Sequence, residues 1–440
     1  MNFINTLKDI WKIEELKNKI LLTLGLIAVY RFMALVPLPG IDPLQLEALR
    51  KGASDGLLGL LNAFTGGAFA KASVMALGIM PYISASIVVQ LMGIAVPYFQ
   101  KLQKDGESGR KKITQITRWL TIGITMVQGP TYITAIKTQF QLPESAFLVS
   151  GATFWISSMI LLTAGTVFAM WLGERITDKG VGNGISLLIT VGIIANFPAA
   201  FLQEFISKTE NAGAGGIMMI LLEIIIWFIV ILLSVYLVTA VRKIAVQYAR
   251  RTVSGNIQNV AGSRDYIPLK LNAAGVMPII FAQAIMFLPA ALGRNFTNLA
   301  ELQDINGLYY NLLFALLIVV FSYFYTAITI PTNKMAEDLK KSGGFIPGVR
   351  PGKDTADSLD TVLSRITFPG SLFLAGLSIL PSIVVQFGVQ QGWALFYGGT
   401  SLIIMVGVAI DTMQQINSYL LNRHYDGLMK TGTSNRNSSK

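Results

Sequence analysis

Ten stretches of about 20 mostly apolar residues, at 20–36, 72–96, 118–136, 147–172, 184–203, 216–241, 273–293, 309–331, 367–387 and 394–414, constrain this 440-residue chain more than any other feature. That length is what a helix needs to cross the hydrocarbon core of a bilayer. In lipid no water relieves an unpaired backbone group, so a spanning segment must close its hydrogen bonds internally as a helix. The expected fold class is an all-α polytopic membrane protein with ten transmembrane helices. Charged residues make up only 13% of the chain, against roughly 25% in soluble domains.

Two of these stretches carry nearly the same phrase, GIMPYI at 78–83 and GVMPII at 275–280, 197 positions apart. Pro has no N–H to give and crowds the preceding turn, so it interrupts a helical ladder. A Gly/Pro-interrupted apolar segment recurring at corresponding places in two halves points to a pathway at the repeat interface. Two related halves are therefore expected, 20–203 with spans one to five and 204–414 with spans six to ten.

Basic residues orient the spans. With the N-terminus inside, the inner segments hold 28 of the 35 Lys and Arg, the positive-inside bias that places both termini in the cytoplasm. Five spans per half is an odd number, so the second half starts from the opposite side of the membrane. The two phrases then enter from opposite faces, which makes the repeat an inverted one.

The first nineteen residues mix Lys and Glu and lack the apolar core and cleavage site of a signal peptide. Ile4, Leu7 and Trp11 recur at helical spacing, so 1–19 reads either as an amphipathic cytoplasmic segment on the membrane surface or as a frayed tail. The segment from 415 to 440 is a cytoplasmic tail holding the only histidine, His424. Cysteine is absent, which removes disulfides and thiolate metal sites. No cofactor and no metal are expected.

Between spans one and two lies SDGLLGLLNAFTGGAFAK, residues 54–71. Its apolar core, Leu57, Leu58, Leu60, Leu61 and Phe64, is too short to cross and is bounded by Gly56 and by Gly66 and Gly67. Such a stretch is re-entrant or interfacial, either a small stopper hinged on glycine or a short helix lying in the outer interface.

The block ALGIMPYISASIVVQL at 76–91 is very close to the second span of the SecY/Sec61 protein-conducting channel family in its bacterial form. DGESGRKKITQ (105–115), DKGVGNGISL (178–187), PLKLNAAGVMP (268–278), FIPGVRPGKDTA (345–356) and FYGGTSL (396–402) continue the match in the family's order. The resemblance covers essentially the whole chain. It implies two inverted five-helix halves around a central pore with an aliphatic ring at its waist. Position by position, the ring falls on Ile79, Ile83, Ile185, Ile189, Ile280 and Ile404. Such a ring offers water and ions nothing to bond and gates by dewetting. Hydropathy puts Ile185 near the inner end of span five and not at mid-depth; a helix beginning earlier, inside a water-filled funnel, would reconcile the two readings.

The same resemblance makes 54–67 a re-entrant plug helix beneath the ring. It sets a lateral gate between spans two and three on one side and seven and eight on the other, with Gln90 at the matching position. The loops 242–272 and 332–366 become docking surfaces for the SecA motor ATPase and the ribosome. Arg350 matches the family's sensitive arginine, and Arg250 and Arg251 are carried over from the first loop. A guanidinium between Gly and Pro can pair bidentately with a carboxylate or phosphate. The implied companions are the SecE and SecG subunits, with signal sequences and preproteins as cargo and membrane lipids around them. The implied location is the bacterial plasma membrane.

Other readings fare worse. GVRPGK, ending at Lys353, lacks the P-loop spacing and has Asp354 where a hydroxyl belongs, so a partner must supply energy. Gly106-Glu107-Ser108-Gly109 has a serine-protease form but sits in a charged inner loop, with the only histidine, His424, far away in the polar tail, so no enzyme is expected. A small-solute transporter also uses inverted repeats, yet needs convergent polar groups where this chain has isoleucine. Within the spans, Glu223 fits helix packing, an outer-interface position or a transport role, and Arg31 is expected to snorkel to the outer surface.

Overall fold

The computed structural model describes residues 11, 13–42, 46, 62–138, 147–149, 151–212, 214–248, 264–292 and 304–437. Leu57, Leu58, Leu60 and Leu61 of the expected plug, and Arg250 and Arg251, lie outside the described residues.

Every one of the ten apolar stretches holds a helix. These are α1 (Glu14–Met33), α2 (Met80–Ala95), α4 (Gly106–Thr138), α5 (Ala152–Lys179), α6 (Gly184–Ala212), α7 (Ala214–Thr239), α8 (Met277–Leu292), α9 (Leu308–Thr329), α11 (Lys353–Gln386) and α12 (Gly399–Asn437). Two shorter helices, α3 (Pro97–Lys104) and α10 (Thr332–Lys341), follow α2 and α9. Among the described residues, six helices are by themselves long and apolar enough to cross a membrane. The α2–α3 pair would be a seventh, bent by 97° at Val96. Pro97 causes that bend, because it drives the preceding residue out of helical geometry.

The two Pro-containing stretches differ from expectation in one instructive way. Neither Pro interrupts a helix. α2 begins at Met80 and α8 at Met277, so Pro81 and Pro278 stand in first turns, where a missing N–H costs nothing. The apolar residues ahead of them, 72–79 and 271–276, form turns. In the first half that irregular backbone is buried almost throughout, as non-helical chain at membrane depth must be.

The chain divides into two compact units. One comprises Met1–Ile206, Gln391–Trp393 and Val408–Lys440, and the other Ser207–Gln390 and Ala394–Gly407. In the first, Leu38, Phe69, Val74, Tyr132, Ile133, Phe154 and Leu162 form a buried cluster around the 62–79 segment. Gly165 of α5 lets that helix approach Val74, since a Cβ there would collide with the Val74 carbonyl oxygen. The α5–α6 turn uses the same device, with Gly184 against the Gly173 carbonyl. Its amides find side-chain acceptors: Val181 N–H donates to Thr23 Oγ1 (3.1 Å), Gly182 to Gln415 Oε1 (2.9 Å) and Gly184 to Thr177 Oγ1 (2.9 Å). At the same end Lys19 Nζ donates to the Tyr419 hydroxyl at 3.2 Å. That bond, opposed by partial burial and aided by Glu15, holds the Lys19 pKa above its ordinary value.

In the second unit Ile279, Met286, Tyr310, Phe314, Ile318, Leu374, Leu402 and Ile403 form the buried cluster. This unit also corrects the all-α expectation. The loops 242–272 and 332–366, which read as basic Gly/Pro-rich connections, build a three-stranded sheet ordered β2–β1–β3. Its strands are β1 (Val241–Tyr248), β2 (Arg264–Lys270) and β3 (Gly344–Phe345). β1 and β2 are antiparallel, with Ile244 opposite Ile267. Val246 packs with Leu339 of α10, Ile346 and Leu359 of α11, and Ile244 and Ile267 join this small core. The alternation of Ile244, Val246 and Tyr248 is the period-two signal that makes such a face.

Candidate functional site

The two corners at the start of α2 and α8 have the same backbone. Gly78 and Gly275 both take positive φ, +54° and +63°, a conformation that suits glycine because it has no Cβ. The Gly78 N–H donates to Met75 O (2.9 Å), and the Gly275 N–H to Asn272 O (3.3 Å). One turn later Ile83 N–H donates to Ile79 O (3.1 Å) and Ile280 N–H to Val276 O (3.3 Å). The halves therefore repeat a turn, a left-handed glycine, a first-turn proline and an isoleucine five residues after the glycine. Val276, unremarked in the sequence, takes the place that Ile79 holds in the first half.

The six isoleucines fall in both units. Ile79, Ile83, Ile185 and Ile189 belong to the first, Ile280 and Ile404 to the second. Ile79 and Ile83 share one face of α2, and Ile185 and Ile189 one face of α6, each pair four residues apart. Ile79, Ile189 and Ile404 are buried, and Ile83, Ile185 and Ile280 half-buried. α6 does not begin earlier than hydropathy suggests. It starts at Gly184, and Asn183 Oδ1 accepts from the N–H groups of Ile185 (3.2 Å) and Ser186 (3.3 Å). Ile185 thus lies in the first turn, its side chain against Gly173 of α5.

The described end of the 54–71 segment is held by side chains from three helices. Arg31 of α1 donates from its Nη1 to Gly66 O at 3.0 Å. Tyr132 of α4, buried, donates to Phe69 O at 2.8 Å. Asn196 of α6 donates to Asn62 O at 3.4 Å. Gly66 (φ +66°) lies against Gly192 of α6: a Cβ on Gly66 would collide with the Gly192 Cα, and one on Gly192 with the Phe64 carbonyl oxygen. Gly67 follows at φ +85°, and Phe64 is buried.

Among the polar groups in the spans, Gln90 bonds within its own helix, Nε2 to Ser86 Oγ at 3.3 Å. A second glutamine was not singled out from sequence. Gln283 of α8 accepts from Thr400 Oγ1 of α12 at 3.0 Å, and both are buried. They lie three and four residues from Ile280 and Ile404. The signal for Gln283 was present, a lone amide in an apolar span, but its partner is 117 positions away. Glu223, the tenth residue of α7, pairs with Lys208 at 3.3 Å, and Lys208 also donates to Gly388 O at 2.9 Å. Arg350 is exposed on the turn between the sheet and α11, flanked by Gly348 (φ +84°) and Gly352 (φ +113°). Its carbonyl accepts from Thr355 Oγ1 at 2.8 Å. Gly109 of the GESG string has a steric duty, since a Cβ there would strike the Leu102 carbonyl of α3. Among the described residues no cluster of His, Cys, Asp and Glu could hold a metal.

Comparison with known proteins gives a consistent answer. The family model described as SecY matches residues 73–413. The protein translocase subunit SecY of Streptomyces coelicolor is 38% identical over 443 residues, covering 96% of this chain and 98% of its own length. That of Aquifex aeolicus is 39% identical over 433 residues, covering 96% and 99%. Among solved structures, a protein-conducting channel aligns at TM-score 0.61 with 17% identity over 91% of each chain. A SecY structure concerned with the plug domain and the closed state of the translocation channel aligns at 0.62 with 18% identity over 91% of each chain. Canine Sec61 in a ribosome–channel complex aligns at 0.54 with 17% identity over 91% of each chain.

Proposed function

This chain belongs to the SecY family, and on that premise we propose that it is the central channel subunit of the Sec protein translocase in the bacterial plasma membrane. Unfolded secretory polypeptides pass through it, and apolar signal or membrane segments leave sideways into lipid. Ten spans in two inverted halves, 20–203 and 204–414, surround the path, with both termini in the cytoplasm. The ring is formed by Ile79, Ile83, Ile185, Ile189, Ile280 and Ile404. A plug of about 54–67 rests beneath it, hinged on Gly66 and Gly67. The lateral gate lies between α2 and α4 on one side and α8 and α9 on the other, with Gln90 beside it. The channel performs no covalent chemistry. SecA or the ribosome, docking on the sheet and on the turn carrying Arg350, supplies the drive, and SecE and SecG complete the assembly.

The observation that carries this reading is the duplicated corner. A left-handed glycine and a first-turn proline set Ile83 and Ile280 at the same step of two helices in separate units. An aliphatic ring suits the task, because an extended chain can press flexible side chains apart without specific contacts while a dry constriction excludes ions. The test is site-specific crosslinking from a stalled secretory chain, with photoreactive groups along its translocating segment. Adducts should concentrate on the six isoleucines. Adducts that avoid all six and map elsewhere would overturn the assignment.

A further inference from the structure

The turn that launches α8 borders a small cavity lined by Asn272, Ala273 and Ala274, by Ser322 and Thr326 of α9, and by Thr367, Gly370 and Ser371 of α11, with Leu271 and Leu374 closing it. All of these residues belong to one unit. The cavity leaves about 10 Å³ for the centre of a water molecule, close to the ~10–15 Å³ that one water requires. Asn272 is 9% exposed, and its Oδ1 is buried with no hydrogen-bond partner among the described residues.

The hydroxyls around it cannot all answer that need directly. Ser322 donates to Ile318 O (2.7 Å), Thr367 to Leu363 O (2.8 Å) and Ser371 to Phe368 O (2.9 Å). Each of these protons is spent on its own helix, and each oxygen keeps lone pairs. Asn272 Oδ1 and these three oxygens are acceptors facing acceptors, with the Thr326 hydroxyl as the fourth on the lining. A molecule that can both donate and accept closes that account. A buried amide oxygen left unmet costs about 1–3 kcal/mol.

We propose that this cavity binds one ordered water, donating to Asn272 Oδ1 and to a hydroxyl oxygen on α9 or α11. The water joins the 271–276 turn to one of the two neighbouring helices. A metal cation is a poor occupant, because no carboxylate lines the site and a hard cation gathers six or more oxygens at close range. Gly370 explains why the cavity is so small. A Cβ there would lie 2.8 Å from Leu271 O, so α11 comes in against the turn and leaves room for a single water. The site is independent of the pore assignment.

The decisive measurement is a structure of the full chain in lipid nanodiscs at a resolution that shows ordered water. One peak is expected within about 3 Å of Asn272 Oδ1 and of at least one of the three hydroxyl oxygens. A dry cavity, or an amide turned so that Oδ1 accepts from a protein donor, overturns the proposal. Asn272→Leu provides a second test. It removes the acceptor and fills the space, so the peak should vanish, and a peak persisting unchanged would show that Asn272 is not its ligand. Should that variant fail to accumulate, the wild-type map decides alone.

Discussion

At the scale of single residues, long side chains act on backbone far away in sequence, which is what hydropathy cannot foresee. Arg31 read as a cation destined for the outer surface, and it caps the Gly66 carbonyl. Gly66 was legible as a special backbone position because glycine in a short apolar segment needs a backbone reason, and its φ is +66°. The arginine that meets it was not, because nothing local ties position 31 to position 66. The relative weight of the contacts on this segment can be tested. Phe69 O accepts from Ala72 N–H as well as from Tyr132, so Tyr132→Phe should cost only an ordinary bond, about 0.5–1.5 kcal/mol. No other donor to Gly66 O is seen among the described residues, and a charged donor is worth about 1.5–3 kcal/mol. Arg31→Met should therefore be the more destabilising change. Thermal unfolding of the detergent-solubilised protein measures both, and a reversed order or two silent variants would refute this account of the anchor.

At the scale of elements, punctuation residues carried most of the legible signal. Gly78, Pro81, Gly275 and Pro278 marked two special helix starts, although proline proved to open each helix instead of breaking it. The sheet was missed for a physical reason. β1 contains Arg242 and Lys243 beside Ile244 and Val246, and basic charge next to a span reads first as orientation. Its strand identity comes from pairing with β2 and from the cover that α10 and α11 provide. The bond between Gln283 and Thr400 links α8 to α12 in the same long-range way. Interhelical hydrogen bonds in membranes average about 0.6 kcal/mol and reach about 1.7. In a double-mutant cycle, Gln283→Leu and Thr400→Val should each destabilise by leaving the other's polar group buried and unpaired. The pair together should cost less than the sum, by about 0.5–2 kcal/mol. Strict additivity would mean that the bond does not join the helices.

At the scale of the whole molecule, parity and charge asymmetry are what the expectation of an inverted repeat rests on. The structure adds a local resemblance between the two proposed halves, the duplicated left-handed glycines at 78 and 275. The ring is harder to read, because an isoleucine alone looks like any lipid-facing or packing residue, and only the resemblance raises six of them above the rest. Ile185 rests on resemblance most heavily, since it sits in the first turn of α6 against Gly173. Two kinds of change should therefore separate sealing from driving. On the proposed ring, Ile280→Asn or Ile404→Asn would place an amide in a constriction that must stay dry, and a wetted constriction conducts. Purified channel carrying either change should pass more ionic current in planar bilayers than the parent. Arg350→Glu reverses charge on an exposed turn held by Thr355, outside the ring and the apolar clusters. It should leave the resting current at the parent level while motor-driven translocation into vesicles falls. Equal conductance in the asparagine variants would remove the ring from these positions. Undiminished translocation in Arg350→Glu would instead leave the ring in place and move the docking surface elsewhere, so the two halves of the reading fail separately.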